Sequence, residues 1–239
     1  MLRSFAIEGG RLAPLGEGRG VPPEAAWVDL VSPTAAEERL VETALGLDIP
    51  TRAEAGGLQV SDRLVSTAGA LYMSALVLGG QHAAPATVPI TFVRTGERLV
   101  TVRYSAVETL DPFIERETRG EASLAGAGDL FAGLLEVAVD RIAERLQQIG
   151  EALDHLSRGI FHHPAHVRQR AGRPLPLGRR IRRLEAVIED LGTQHELAGK
   201  VRESIQSLIR LTDFSRAHAE DGLRKRLGAI ATDLHSVAE

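Results

Sequence analysis

Cysteine is absent from this 239-residue chain, which excludes a disulfide scaffold, a cysteine-based zinc site and a thiol nucleophile. Aromatic residues make up only 4% of it, too few for a platform that stacks sugars or bases. No apolar run approaches the ~18–20 residues needed to span a bilayer. The best stretch, Ala70 to Leu78, falls far short. Charge of one sign is also missing: 28 Lys and Arg face 32 Asp and Glu, a net charge of −4. A strongly basic nucleic-acid binder is thereby excluded, and no nucleic-acid partner is expected. Met1-Leu2-Arg3-Ser4 does not open the apolar core of a secretion signal, so these residues read as a soluble polypeptide. No His-Glu-x-x-His, phosphate-binding glycine loop or nucleophile elbow occurs, and no enzyme is expected.

What is present is an ordinary globular mixture, 44% hydrophobic and 25% charged. The first half holds turns and short β-type runs. Leu2 to Ile7 reads as a strand before the turn Gly9-Gly10, and Trp27 to Val31 as a second. Ser32 or Thr34 can cap a helix that carries Glu37 and Glu38 in its first turn and stops at Gly46. Asp48 to Gly57 holds a short helical turn. Leu58 to Ser66, Ala70 to Leu78 and Val88 to Arg94 are further strand candidates. Thr95-Gly96-Glu97 is a hairpin turn, and Arg98 to Tyr104 returns from it.

Beyond Asp129 the pattern changes. Leu135, Ile142, Ile149 and Leu156 form one seven-residue row, and Val139, Leu146, Leu153 and Ile160 another. This is a coiled-coil seam, and it predicts one helix from about Gly128 to Phe161. His162-His163-Pro164 ends it, and a Pro/Gly-rich stretch to Gly178 reads as a hairpin tip. A second long helix carries Ile181, Leu184, Ile188, Leu191, Val201, Ile205, Leu208 and Leu211 on its apolar side. A third starts near Ala217 and runs through Leu223, Leu227, Ile230 and Leu234 to the last residue with no stop signal, which predicts that the helix continues past Glu239. The expected fold class is α/β: an α/β/α head with a mixed sheet over 1–127, an antiparallel helical hairpin over 128–215 and the start of a stalk helix over 216–239.

Gly69-Ala70-Leu71-Tyr72-Met73-Ser74-Ala75, then Pro89-Ile90-Thr91-Phe92-Val93, then Arg98 to Tyr104, resemble in order and spacing the CorA family of divalent-cation channels. Gly133-Leu134-Leu135-Glu136, Val201-Arg202-Glu203-Ser204-Ile205 and Ala231-Thr232-Asp233-Leu234-His235-Ser236 extend the match over essentially the whole chain. The resemblance implies a cytoplasmic ion-sensing domain of a homopentameric transporter, on the cytoplasmic side of the bacterial inner membrane. Mg²⁺ or Co²⁺ is the implied ion, and the zinc-handling ZntB branch shares the same plan. The family's Gly-Met-Asn selectivity motif and its membrane segments do not occur in these residues. From periodicity alone, a soluble helical adaptor that binds protein or an anionic surface stands as the alternative.

The resemblance makes Asp233 a regulatory cation ligand, meeting acids of a neighbouring subunit. Where the family often places the partner acid, this chain reads Gly79-Gly80-Gln81-His82, so His82 is the candidate there and would favour Co²⁺, Ni²⁺ or Zn²⁺. His162, His163 and His166 cluster as a weaker metal site with no acid beside them. Arg179, Arg180, Arg182 and Arg183 open a helix where positive charge is unfavourable, which suggests contact with an anionic surface.

Overall fold

The computed structural model describes residues 1–17, 20–55, 64–79, 86–105, 107, 109–120, 124–161 and 177–239. Strands β1 (Leu2–Glu8) and β2 (Arg11–Glu17) form a hairpin, followed by β3 (Trp27–Val31) and helices α1 (Ala35–Leu45) and α2 (Arg52–Ala55). Then come β4 (Leu64–Ser66), β5 (Leu71–Gly79), β6 (Ala86–Arg94), β7 (Leu99–Arg103) and α3 (Leu110–Arg119). Among the described residues three helices follow: α4 (Ala127–Phe161), α5 (Leu177–Ala217) and α6 (Asp221–Ala238).

The seven strands lie in the order β2-β1-β3-β7-β6-β5-β4. Every pairing is antiparallel except β3 with β7, which are parallel, with Trp27 opposite Leu99 and Val31 opposite Arg103. Strand alternation sorts the side chains into two cores. On one face Trp27, Met73, Ile90, Phe92 and Leu99 pack with Phe131, Leu135, Leu208, Leu211, Ile230 and Leu234 of the long helices. On the other, Val28, Leu30, Val93, Val100 and Val102 pack with Val41 and Ile49 around α1. With both faces covered, β7 is buried along its whole length, although its sequence alternates threonine and arginine with valine.

β1, β3, α1, the turn at Thr95 and the 128–161 helix lie where the sequence placed them, within about two residues. Thr34 is the cap of α1: its Oγ1 accepts from Glu37 N–H at 3.3 Å, and Glu37 Oε2 accepts from Thr34 N–H at 2.8 Å. Gly46 closes the helix at φ 64°, a left-handed value that suits glycine. The Thr34 N–H, first among its contacts, holds the Glu37 carboxyl below the usual carboxylate range. The cap therefore contributes fully above the unfolded pKa of about 4.3 and fades as pH falls through the lower folded value. The hydrogen-exchange protection factors of α1, corrected for the intrinsic rate at each pH, are expected to fall from about pH 5 to pH 3 in the wild type and to change little in Glu37→Gln.

β2 and α3 had no sequence signal. β2 contains Pro14 and Gly16, poor strand formers that an edge position tolerates. The apolar residues of α3, Leu110, Phe113 and Ile114, sit among six polar or charged neighbours and a proline. Of the Leu58 to Ser66 strand candidate, residues 64–66 are a strand and the rest lies outside the described residues.

The seam on α4 is only partly used. Leu135, Ile142 and Ile149 are buried, yet Leu153 is 40% exposed. Along the first half of α5, Ile181, Leu184, Ile188 and Leu191 are also exposed, whereas Val201, Ile205, Leu208 and Leu211 are buried against the sheet and the neighbouring helices. The apolar side expected along all of α5 is thus a packed surface only in its second half.

Candidate functional site

Two charged clusters organise the molecule. The first lies where β1, β3 and β7 meet α3. Asp29 is fully buried. Arg3 Nη2 donates to its Oδ2 at 2.5 Å and Arg103 Nη2 to the same oxygen at 3.1 Å. Thr101 Oγ1 donates to Asp29 Oδ1 at 2.7 Å, and Trp27 Nε1 donates to Thr101 Oγ1 at 3.0 Å. Asp111, at the start of α3, accepts from Arg3 Nη1 at 3.2 Å. Burial works against the Arg3 charge, but Asp29 and then Asp111 outweigh it and hold its pKa above the ordinary value. Both oxygens of Asp29 are engaged, so the cluster is a structural weld with no open coordination position.

The second cluster fastens α6. Arg226 grips Glu136 of α4 with two parallel bonds, Nε to Oε1 and Nη2 to Oε2, both 2.7 Å. Its Nη1 reaches Asp129 Oδ1, two turns earlier on α4, at 3.1 Å. The Glu136 hydrogen bonds come first in raising the Arg226 pKa against a smaller burial penalty. α4 and α6 run in the same direction, because Leu223 lies over Gly128 while Arg226 reaches Gly133 and Glu136. Gly133 is needed at the crossing: a Cβ there would stand 2.7 Å from the ring of Phe113.

Arg226→Lys keeps the charge and loses the fork. It is expected to cost about 1 kcal/mol, since the three side chains are about one-third exposed and partly screened. Faster hydrogen exchange confined to α6 is the corresponding readout; unchanged protection there would count against the clamp.

The buried side of α6 is Leu227, Ile230, Ala231 and Leu234. Asp233 lies on its exposed side, seven residues beyond Arg226. His235 is also exposed, and its Nδ1 lies 2.6 Å from the Ala231 carbonyl oxygen. His82, His162, His163 and His166 fall outside the described residues, as do the side chains of Arg179, Arg180 and Arg183. Arg182 is exposed and donates from Nε to the Gly178 carbonyl at 3.2 Å. The first turn of α5 holds no acid. Among the described residues no group of three or more His, Asp or Glu could hold a metal ion, and no helix is long and apolar enough to cross a membrane. Both charged clusters escaped the sequence reading. Their signals were charges set inside apolar strands, as in Trp27-Val28-Asp29-Leu30, and the two-turn spacing of Asp129 and Glu136 on the seam helix.

Helices on both faces of a mixed sheet, continued by long helices that pack on it, define the fold of the soluble part of CorA-type cation transporters. The soluble domain of CorA from Methanocaldococcus jannaschii superposes over 100% of this chain and 89% of its own, with TM-score 0.72 at 10% identity. The ZntB cytoplasmic domain from Vibrio parahaemolyticus matches over 99% and 91%, with TM-score 0.56 and 10% identity. The chain itself belongs to the family described as CorA-like Mg²⁺ transporter protein, whose sequence pattern matches residues 24–172, more than half its length. The magnesium transport protein CorA of Yersinia pseudotuberculosis is 26% identical over 219 residues, which are 90% of this chain and 64% of that protein. CorA of Escherichia coli K12 is 25% identical over 244 residues, 99% of this chain and 72% of that protein. The chain thus spans somewhat under two thirds of the Yersinia relative.

Proposed function

We propose that this chain is the ion-sensing part of a divalent-cation transporter, on the cytoplasmic side of a bacterial membrane, and that Asp233 is a ligand for the regulatory ion. The observation that carries this reading is the placement of α6. α6 is buried along Leu227, Ile230 and Leu234 and clamped to α4 by Arg226, and two turns further along the same edge as Arg226 the exposed Asp233 is available to a second copy. Carboxylates from adjacent subunits repel when empty, and a hard cation between them draws the subunits together. Membership of the Mg²⁺ transporter family makes Mg²⁺ the first choice of ion, with Co²⁺ next. A homopentamer is the proposed assembly, and membrane attachment would come from segments beyond these residues. His82 is the proposed additional ligand should the ion be Co²⁺, Ni²⁺ or Zn²⁺. The fold likeness to ZntB keeps zinc in view.

The test is a melting and sedimentation series with increasing MgCl₂. At ten times the dissociation constant an ion that binds only the folded state adds about 1.4 kcal/mol, a rise in Tm of roughly 3–5 °C for a chain of this size. Asp233→Ala is expected to abolish most of that rise and any shift toward larger assemblies. A response to Zn²⁺ but not Mg²⁺, lost in His82→Ala, would move the assignment to zinc. If no divalent cation alters melting or assembly, the sensing role fails.

A further inference from the structure

Between α5 and α6 the chain turns through residues 218–220, and this corner roofs a cavity of about 510 Å³. Arg94, the last residue of β6, enters from the sheet. His218 and Glu220 enter from the corner, and Gly128, Gly222 and Leu223 from the first turns of α4 and α6. Arg94 Nε is shielded from solvent and has no hydrogen-bond partner. Among the described residues no carboxylate pairs with its guanidinium, unlike Arg3, Arg103 and Arg226. Burial lowers its pKa, and the Glu220 charge offsets this only from a distance. A half-buried cation with an unused donor is costly unless something supplies the missing acceptor.

The opposite wall offers further donors. Glu220 is the N-cap of α6 in an extended conformation and makes no side-chain capping bond. The N–H groups of Asp221, Gly222 and Leu223 have no acceptor within the helix, which begins its ladder with Arg224 N–H to the Glu220 carbonyl at 2.7 Å. Gly69, Gly96 and Gly222 line the space, and a Cβ on any of them would meet nothing within 4 Å, so bare backbone faces the cavity. His218 holds Nδ1 2.9 Å from the Phe214 carbonyl oxygen, and its Nε2 has no hydrogen-bond partner among the described residues.

We propose that this cavity binds a small phosphorylated anion, held between the Arg94 guanidinium and the first-turn N–H groups of α6, with His218 at its edge. A phosphoryl group has enough acceptor oxygens to serve an arginine fork and several backbone donors at once, and it gains from the positive end of the helix. The volume suits more than a bare phosphate and lies within the range of small-ligand sites. The bound anion would tie the end of β6 to the start of α6, fastening the last helix to the sheet from the end opposite Asp233. The site is independent of the cation reading, and Asp233→Ala should leave it intact.

Isothermal titration with sodium phosphate and, separately, adenosine monophosphate tests the proposal, at constant ionic strength set by chloride and without divalent cations. One saturable site is expected. Arg94→Gln should weaken it by about tenfold or more and Glu220→Gln should tighten it about threefold, through loss of a charge-assisted bond and of a like charge. Glu220 is exposed, so its variant reads the site without disturbing the core. Circular dichroism checks that Arg94→Gln is folded. Equal affinity for the two ligands assigns the site to the phosphate group alone, and tighter binding of the nucleotide assigns it to a phosphate ester. If neither ligand binds, or both variants bind as the wild type does, the proposal is overturned.

Discussion

Replacing Asp29 by alanine is expected to destabilise the protein by about 3–5 kcal/mol, the range for removing one partner from a buried ion pair. Asp29 is the common acceptor for Arg3, Arg103 and Thr101. Without it, Arg103, whose side chain is only 5% exposed, keeps just the 3.9 Å contact to Asp111. Asp111 is 62% exposed and well solvated, so it is a poor substitute. Urea unfolding read by Trp27, the single tryptophan, measures the loss directly. A change below about 1 kcal/mol would show that the cluster is not the weld described. The paired replacement Asp29→Leu with Arg103→Met is expected to recover part of the loss, because Arg103 no longer stands buried without a counter-charge, while Arg3 keeps only its contact to Asp111.

Trp27→Ala is expected to cost a similar amount, about 3–5 kcal/mol, for a different reason. The indole is fully buried, stacked on Phe5 at 4.9 Å and edge-on to Phe113 at 5.7 Å. Truncation opens a cavity between β1, β3 and α3 that close packing cannot refill. Circular dichroism must follow this variant, since the fluorophore is gone. Trp27 also donates to Thr101, which in turn donates to Asp29. The double variant with Asp29→Ala should therefore lose less than the two single losses added together. Strict additivity would mean that the hydrogen-bond chain through Thr101 carries no coupling.

Much of this architecture could be read in advance because local signals agreed with the tertiary result. Thr34, Glu37 and Gly46 bound α1 by capping chemistry that depends on neighbouring residues alone. The heptad rows from Leu135 to Leu156 required a long helix whatever packed on it. β2 was hidden because its stability comes from pairing with β1 rather than from Pro14 or Gly16. The unused half of the α5 stripe was equally hidden: Ile188 and Val201 fit the same helical pattern, yet the first is 68% exposed and the second 1%. Spacing tells which side of a helix is apolar, not whether another surface reaches it. For the same reason Asp129, Glu136 and Arg226 look like ordinary helix charges until α6 is laid beside α4. Asp233 rested on family likeness, and the structure contributes its exposure on α6.

The parallel contact of β3 with β7 has a consequence for how the chain folds. The sheet consists of two sets of antiparallel neighbours, β2-β1-β3 and β7-β6-β5-β4, each assembled from segments near one another in sequence. Only the β3–β7 junction joins them, and its partners stand 72 residues apart, as Asp29 and Thr101 do. Closing so long a loop costs entropy before any contact across the junction is made, whereas the hairpins close cheaply. Each half can therefore organise early, and their union is expected to be the slower step. The hydrogen bonds of Trp27, Thr101, Asp29 and Arg103 all cross that junction, so they reward the union only once it has happened. The charged weld acts as a latch on a finished sheet rather than as a seed for an unfinished one.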